Sequence, residues 1–316
     1  MYELSEFLHY GTIALAIGMN AIGVGIGQGI TGHAALDAIN QQPSAQSEIT
    51  KTALLGIALI ETVAVMGGLI SILLLRSTPS TEFAGLAELG IALAICLPGA
   101  VIGLISSWPA KSSCMAIARQ PFLAQPITRF MAVSQAFIQA PIIFGLIIAI
   151  FISNQAAHAQ SLFDSLRLIG AGLCIGIGSI GPSIGLASFT EAACYGLGVN
   201  PKATPPLLSF TFISAPCIEA SIVFALIISL VLLFASGTRG DIIDGIALFS
   251  AGLCSGLGTI GAGIGSGQVA SVAAHQIALH PESHSIISRA SIFAQGVIET
   301  CSIYALTTSF LLVYFH

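Results

Sequence analysis

The amino-acid sequence predicts an all-α integral membrane protein with eight transmembrane helices, arranged as four tandem helical hairpins. Composition is the first reason for this prediction. Of the 316 residues, 55% are hydrophobic and only 7% are charged, and the mean hydropathy is +0.95. A soluble domain carries roughly a quarter charged residues. The net charge of −5 comes without a basic patch, which argues against nucleic acid as a partner.

Eight uninterrupted apolar runs are the second reason. Each is long enough to cross the ~30 Å hydrocarbon core, which takes ~20 helical residues. The runs do not alternate between apolar and polar residues, so helices are predicted rather than strands. They lie between Glu6 and Asp37, Lys51 and Arg76, Glu88 and Lys111, Arg129 and Asp164, Arg167 and Glu191, Lys202 and Arg239, Asp244 and Ala278, and from Arg289 onward.

A repeated proline turn is the third reason. Pro43, Pro121, Pro201 and Pro281 are spaced by 78, 80 and 80 residues, each in a short polar turn between two apolar runs. Such regular spacing indicates one two-helix unit copied four times. We therefore predict hairpins at residues 1–78, 79–158, 159–238 and 239–316. Each unit crosses the membrane twice, so all four share one orientation, unlike the inverted repeats of many secondary transporters.

The distribution of charge predicts the orientation of the hairpins. Six cations lie on the turn side, and three lie on the side of the linkers near 77–85, 154–165 and 236–243. The six are Lys51, Lys111, Arg119, Arg129, Lys202 and Arg289, and the three are Arg76, Arg167 and Arg239. The positive-inside rule then places the turns in the cytoplasm and both termini outside. We expect a bacterial-type plasma membrane.

One acidic position recurs in the middle of the second helix of the hairpins. Glu61, Glu219 and Glu299 each lie eighteen residues after a turn proline, and Gln139 occupies the same position in the second hairpin. An ionised carboxylate is costly at that depth, so such residues are functional candidates by default. An amide cannot release a proton near neutral pH. We therefore predict three ion sites and one degenerate site in each chain.

Alternating glycines mark the first helix of the hairpins. They occupy residues 23–29 in hairpin 1 and residues 261–267 in hairpin 4, with a partial pattern in hairpin 3 and a poor one in hairpin 2. Glycines let helix backbones approach closely in lipid. The pattern is typical of a helix that is crowded on several sides, although a pairwise small-residue contact would use the same residues.

These features together resemble the c-subunit of the F-type rotary ATP synthases. The resemblance rests on the glycine-rich helix, the turn Arg119-Gln120-Pro121 and the carboxylate eighteen residues later, and it covers essentially the whole chain. Four fused hairpins are closer to the proteolipids of V-type complexes. The resemblance implies part of a cylindrical homo-oligomeric ring, with glycine helices inside and carboxylate helices outside. It also implies a non-catalytic, ion-carrying rotor without a cofactor, surrounded by membrane lipid.

The resemblance also implies partners and site residues. A stationary partner like the a-subunit of these complexes would supply an arginine, because no Lys or Arg of this chain lies at mid-membrane depth. The implied ion-binding residues are Glu61, Glu219, Glu299, Gln28, Thr62, Thr300 and Tyr304. Central-stalk subunits would contact the turns at Gln42, Pro43, Arg119, Gln120, Pro121, Asn200, Pro201, His280 and Pro281.

The identity of the ion is open between protons and sodium. Gln28 falls where sodium-binding members of the family carry a glutamine, and threonine hydroxyls follow Glu61 and Glu299. Against sodium, Ala140 and Ala220 replace the hydroxyl, and Leu186 stands at the place of Gln28 in hairpin 3. We favour protons, since a proton needs only the carboxyl. Sodium would be the only metal involved.

A self-contained eight-helix secondary ion transporter is the alternative function. The equal orientation of the repeats and the lack of an internal mid-membrane cation argue against it. A purely structural membrane protein is disfavoured by the three glutamates. The seven cysteines are scattered without a C-x-x-C pair, which suits neither a zinc site nor a disulfide framework.

Overall fold

The computed structural model describes residues 2–235 and 241–315, and it confirms the eight predicted membrane spans. Arg239 and most of the predicted linker at 236–243 lie outside the described residues. Within them the helices are α1 (Tyr2–Gln41), α2 (Gln46–Leu74), α3 (Ala84–Ile105), α4 (Ser107–Arg119), α5 (Ala124–Ala156), α6 (Leu162–Val199), α7 (Thr204–Phe234), α8 (Ile242–Leu279) and α9 (His284–Tyr314). The pair α3 and α4 makes one span.

Each hairpin turns through the same short 3-10 helix, begun by its proline. These turns are Pro43–Ala45, Pro121–Leu123, Pro201–Ala203 and Pro281–Ser283. Proline suits the first helical position, because its fixed φ matches the helix and its missing N–H leaves no donor unpaired. In each turn the third residue donates its N–H to the carbonyl before the proline, at 3.0–3.1 Å. The shared geometry brings the site positions to one level, ~27 Å along the second helix.

The third span is interrupted at one residue, Ser106, between α3 and α4, and we refer to this interruption as the break. Ser106 itself keeps helical dihedral angles (φ −60°, ψ −17°), and its N–H donates to the carbonyl of Ile102 at 3.0 Å. Pro109 provides no N–H, and its ring crowds the carbonyl of Ile105. Ser107 donates its hydroxyl to the carbonyl of Leu104 at 2.6 Å. Gln135 of α5 donates its amide to the carbonyl of Ser106 at 2.9 Å. Side-chain donors thus bond two backbone carbonyls at the break.

The helices form an inner row and an outer row. The inner row runs α1, α3–α4, α6, α8 in chain order, and α2, α5, α7 and α9 pack on its outer side. All four inner spans line one hollow of about 970 Å³, so the row curves around it. The inner contacts are between backbones: a Cβ built on Gly23 would overlap the carbonyl of Ala100. This agrees with the close approach predicted from the glycine pattern.

Candidate functional site

Gln139 is the most completely bonded of the four site residues. Its side chain is 9% exposed. Its Nε2 donates to the carbonyl of Leu59 at 2.9 Å, and its Oε1 accepts the hydroxyl of Thr62 at 2.8 Å. Leu59 and Thr62 belong to α2 of the preceding hairpin. The amide therefore joins hairpins 1 and 2 at the level where the other hairpins carry a carboxylate.

Two further hydrogen bonds also join an outer helix to the preceding hairpin. One helical turn before Gln139, Gln135 donates to the carbonyl of Gly56 in hairpin 1 at 3.2 Å. One turn before Glu299, Gln295 accepts the hydroxyl of Ser214 in hairpin 3 at 3.0 Å. This face of the outer helix is therefore directed towards the preceding hairpin.

Glu299 is buried within the chain, and Glu219 is half-buried. Glu299 is 8% exposed and accepts the hydroxyl of Ser302 at 3.3 Å through Oε2. The Oε1 atoms of both glutamates are buried without a hydrogen-bond partner. A carboxyl in such a setting is favoured in its neutral, protonated form until it meets a fixed positive charge.

Glu61 lies at the open end of the row. It is exposed and lines a hollow of about 470 Å³ with Ile17, Val65 and Leu69 of α1 and α2. Among the described residues no hairpin covers the side of Glu61 that corresponds to the Gln139 contact with the preceding hairpin. Thr300, which donates to the carbonyl of Val297 at 2.7 Å, is on α9 at the opposite end, as is Tyr304, 69% exposed.

The predicted ligands are only partly brought together in the single chain. Thr62 bonds Gln139 and the carbonyl of Leu59 rather than the neighbouring Glu61. Gln28 is half-buried and donates to the carbonyl of Ile57, one turn before Glu61, at 3.4 Å. Within the described residues no group of three His, Cys, Asp or Glu side chains could hold a metal ion. The role of these residues as ion ligands stays a prediction.

The family model of the ATP synthase C-subunit matches this chain three times, at residues 12–74, 169–232 and 249–312. The chain belongs to this family. An ATP synthase c-subunit of Gloeobacter violaceus is 46% identical over 66 residues, covering 21% of this chain and 80% of the relative. One from a Synechococcus strain is 42% identical over 85 residues, covering 27% of this chain and all of the relative.

A third relative is also matched over most of its length by about a quarter of this chain. The ATP synthase c-subunit of Thermotoga petrophila is 38% identical over 78 residues, covering 23% of this chain and 92% of the relative. A whole c-subunit of this kind therefore corresponds to one hairpin of this chain. The family matches leave out hairpin 2, the copy with Gln139 and the broken α3–α4 span. The exact hairpin boundaries stay predictions.

Two turn residues predicted to contact a stalk, Arg119 and Asn200, pack on the next hairpin of the chain. The Arg119 guanidinium lies 4.5 Å from the centre of the Tyr195 ring. Asn200 donates to the carbonyl of Ala278 at 3.0 Å. By contrast, Gln42 bonds Ser44 within its own exposed turn, and His280 lies 3.4 Å from Glu282 in another. Contact of these residues with a stalk stays a prediction.

Sequence reasoning missed Gln135 and Gln295, which are both fully buried. Each lies four residues before a site position, and this spacing puts it on the same helix face. That spacing is a signal in the sequence. What the sequence does not contain is the identity of the neighbouring helix that the face contacts.

Proposed function

We propose that the chain is a rotor-ring subunit of a membrane rotary ATPase that carries protons on Glu61, Glu219 and Glu299. The observation that carries this proposal is three carboxylates at one mid-membrane level of the outer helices. Family membership supports the same role. The chain itself catalyses no reaction: ion passage drives rotation, and the ATP chemistry belongs to other subunits. The ring is homo-oligomeric.

The proposed mechanism depends on the charge state of each carboxyl. A protonated carboxyl is neutral and can face lipid at modest cost, whereas an ionised one cannot. Release of the proton therefore requires a fixed cation on a stationary partner, for which an arginine of a stator like the a-subunit is suited. Gln139 stays neutral throughout. Each chain would move three ions per four hairpins.

The open end of the row suggests how Glu61 is completed. Thr62 donates to Gln139 of the following hairpin, and Thr300 occupies the equivalent place in hairpin 4. In a ring the next hairpin belongs to another copy, so Thr300 of the partner subunit would face Glu61. Tyr304 lies one turn further along α9. The Glu61 site would then combine a carboxylate, a hydroxyl and the amide of Gln28.

The internal sites would be poorer in oxygen ligands. Ala140 and Ala220 stand at the repeat position of Thr62. By the geometry of the Thr62–Gln139 contact, Ala140 would face Glu219 and Ala220 would face Glu299, and neither alanine offers a hydroxyl. Two of the three sites thus favour a proton over sodium, since sodium needs several oxygen ligands. Glu61 is the site where sodium remains an alternative.

Carbodiimide labelling tests the ion-carrying role and the ion together. Dicyclohexylcarbodiimide reacts with protonated carboxyls in lipid, so we expect labelled peptides containing Glu61, Glu219 and Glu299, with the Gln139 peptide as an unmodified internal control. Sodium should leave the labelling of Glu219 and Glu299 unchanged. Absence of label on all three glutamates would sink the rotor proposal. Sodium protection of all three would replace protons with sodium.

Partners follow from the same proposal. The turns would face the cytoplasm of a bacterial-type cell and contact a central stalk, with Gln42 and His280 in the exposed turns of hairpins 1 and 4. Because Arg119 and Asn200 hold neighbouring hairpins together, stalk contact would be uneven around the ring. The alternative, a self-contained secondary transporter, is disfavoured by four hairpins of one orientation.

A further inference from the structure

The contacts between inner helices near the turns use the same repeat positions in successive hairpins. A Cβ built on Gly198 would lie 2.8 Å from the Cβ of Ala116, and one built on Gly196 would lie 2.6 Å from the Cβ of Ala278. In both pairs, the residue five before the turn proline of one hairpin meets the residue three before the turn proline of the next. Only small residues occupy these positions, which lets the backbones approach closely.

Larger side chains lie beside this close contact, on the face that lines the hollow of about 970 Å³. Ten residues before the prolines, Nζ of Lys111 in hairpin 2 lies 2.9 Å from Oε1 of Glu191 in hairpin 3. Six residues before the prolines, the ring centres of Tyr195 and His275 are 6.1 Å apart. Side chains at one repeat position in successive hairpins are therefore neighbours along this face.

The first and last helices of the inner row carry polar side chains at all of these positions. The set on α8 is Ser271, His275 and Gln276, at ten, six and five residues before the turn proline, and the set on α1 is His33, Asp37 and Asn40, at ten, six and three residues before it. Gln276 and Asn40 stand where the internal contacts have alanine or glycine, and both are exposed in the single chain. The ends of the row are thus polar where the internal contacts are small.

The polar sets of α8 and α1 are complementary. When hairpin 4 of one copy meets hairpin 1 of the next, the repeat positions bring His275 beside Asp37. The imidazole can donate an N–H to the carboxylate in either of its charge states. The Asp37 side chain is 58% exposed, although it lies 3.4 Å from His33 of its own helix, and a carboxylate accepts several hydrogen bonds. The same positions bring Gln276 beside Asn40, and two amides can each donate and accept.

We propose that successive copies join at a polar seam on the turn side of the inner row, where His275 and Gln276 of one copy face Asp37 and Asn40 of the next. The proposal rests on the ring of the proposed function and names the residues at which copies meet. Two amide side chains are longer than the alanine and glycine that they replace. The backbones of α8 and α1 therefore stand further apart at the seam than the inner helices of hairpins 2, 3 and 4.

The seam selects which hairpins meet between copies. Only hairpin 1 offers a carboxylate six residues before its proline, since hairpins 2 and 3 have Met115 and Tyr195 there. Polar contacts between exposed groups contribute little stability compared with close packing. The ring should therefore dissociate first at its seams, into whole four-hairpin chains.

Disulfide cross-linking tests the seam. In a variant with the seven native cysteines replaced by alanine, Asn40→Cys and Gln276→Cys are combined in one chain, and copper phenanthroline is added to the purified ring. We expect a ladder of chain multimers on a denaturing gel, because Cβ atoms at these repeat positions come within disulfide range. The control Gly196→Cys with Ala278→Cys has the same positions inside one chain, so it should give a disulfide without multimers.

A second control measures chance collisions. Asn40→Cys with Gly196→Cys combines the same two repeat positions in hairpins that are not neighbours, and it should form multimers at least about tenfold more slowly. Equal rates for this control and for Asn40→Cys with Gln276→Cys would overturn the seam. Intact rings without multimers from the latter variant would also overturn it.

A charge exchange tests the His275–Asp37 pair by itself. His275→Asp places two carboxylates together, so its rings should dissociate into single chains at a lower temperature than unsubstituted rings. Adding Asp37→His should restore that temperature, because the imidazole and the carboxylate have then exchanged places. An unchanged dissociation temperature in His275→Asp would remove this pair from the seam.

Projection images and carbodiimide labelling of the same preparations separate failure of the seam from failure of the proposed function. Rings with a labelled Glu299 and no cross-linked multimers remove the seam only. Particles that form no ring, with Glu299 unlabelled, remove the rotor role on which the seam depends.

Discussion

The residues at the four site positions differ in the hydrogen-bond partners of their side-chain oxygen atoms. Gln139 has both amide atoms bonded to α2 of hairpin 1. Glu219 and Glu299 each keep one buried oxygen unpaired, and Glu61 is exposed at the end of the row. An unpaired carboxyl in lipid must hold its own proton. The amide in hairpin 2 therefore acts as a fixed link between hairpins, whereas the carboxyls are the proposed exchangeable sites.

The bonding of Gln139 predicts that a carboxyl fits in its place. In Gln139→Glu, the protonated acid can donate to the Leu59 carbonyl and accept the Thr62 hydroxyl, so the chain should fold normally. We expect a fourth carbodiimide-labelled peptide. We also expect the measured ion-to-ATP ratio to rise in proportion to four sites per chain instead of three. The control Gln139→Leu loses both hydrogen bonds, which costs on the order of 1 kcal/mol in a membrane. An unchanged ratio in a well-folded Gln139→Glu ring would contradict the prediction.

The level of the sites could be predicted from the sequence, but their partners could not. The eighteen-residue spacing from each proline sets the depth of Glu61 and its three counterparts, because all turns share one geometry. Thr62 directly follows Glu61 in the sequence, but its hydroxyl donates to Gln139 of the next hairpin. The sequence of one hairpin does not state which neighbour each helix face contacts.

Among the elements, the inner spans show that proline alone does not decide a helix break. Pro98 and Pro182 lie inside the continuous helices α3 and α6, whereas the chain breaks just before Pro109. At the break, Ser107 and Gln135 provide donors for two carbonyls. A sequence pattern of apolar residues predicts the span, but it cannot weigh these side-chain donors against helix continuity.

The substitution Pro109→Ala tests the origin of the break. It restores the N–H that can donate to the carbonyl of Ile105 and removes the ring that crowds this carbonyl. We expect residues 84–119 to become one helix, with slower amide hydrogen exchange around residues 106–110. A proline in a helix interior costs about 3 kcal/mol, so the thermal stability should rise. The control is Pro182→Ala, in a helix that is already continuous. Unchanged exchange around residue 107 in Pro109→Ala would assign the break to Ser107 and Gln135.

At the two ends of the inner row, the free faces of α8 and α1 carry the same glycine positions that form the contacts between inner helices within the chain. Gly23 and Gly181 lie twenty residues before their prolines, and a Cβ built on either would overlap the next inner helix. Gly261 is their counterpart in α8, and a Cβ built there has no atom of the described residues within 4 Å. On the opposite face of the row, Gly103 and Gly263 contact the preceding helix, and their counterpart Gly25 in α1 meets nothing. The free faces of α8 and α1 thus match the two halves of an existing contact.

The last prediction uses this match to separate folding of the chain from assembly of the ring. Gly261→Val should leave the chain folded, because no atom of the described residues lies within 4 Å of a Cβ built at this position. The substitution should nevertheless block packing of α8 on α1 of the next copy. Gly181→Val makes the same change at the same repeat position inside the chain. There it should cost about 1–3 kcal/mol of stability through overpacking. Helix propensity is equal in the two variants, so it cancels in the comparison.

Projection images of the purified particles check this directly. The unsubstituted protein should give rings whose hairpin number is divisible by four. Gly261→Val should give single chains with an unchanged melting temperature in detergent, and Gly181→Val should lower that temperature. Intact rings from Gly261→Val would place the contact between copies elsewhere. A compact monomer from the unsubstituted chain would favour the secondary transporter, because a rotor requires that the Glu61 end of one copy meets the Thr300 end of another.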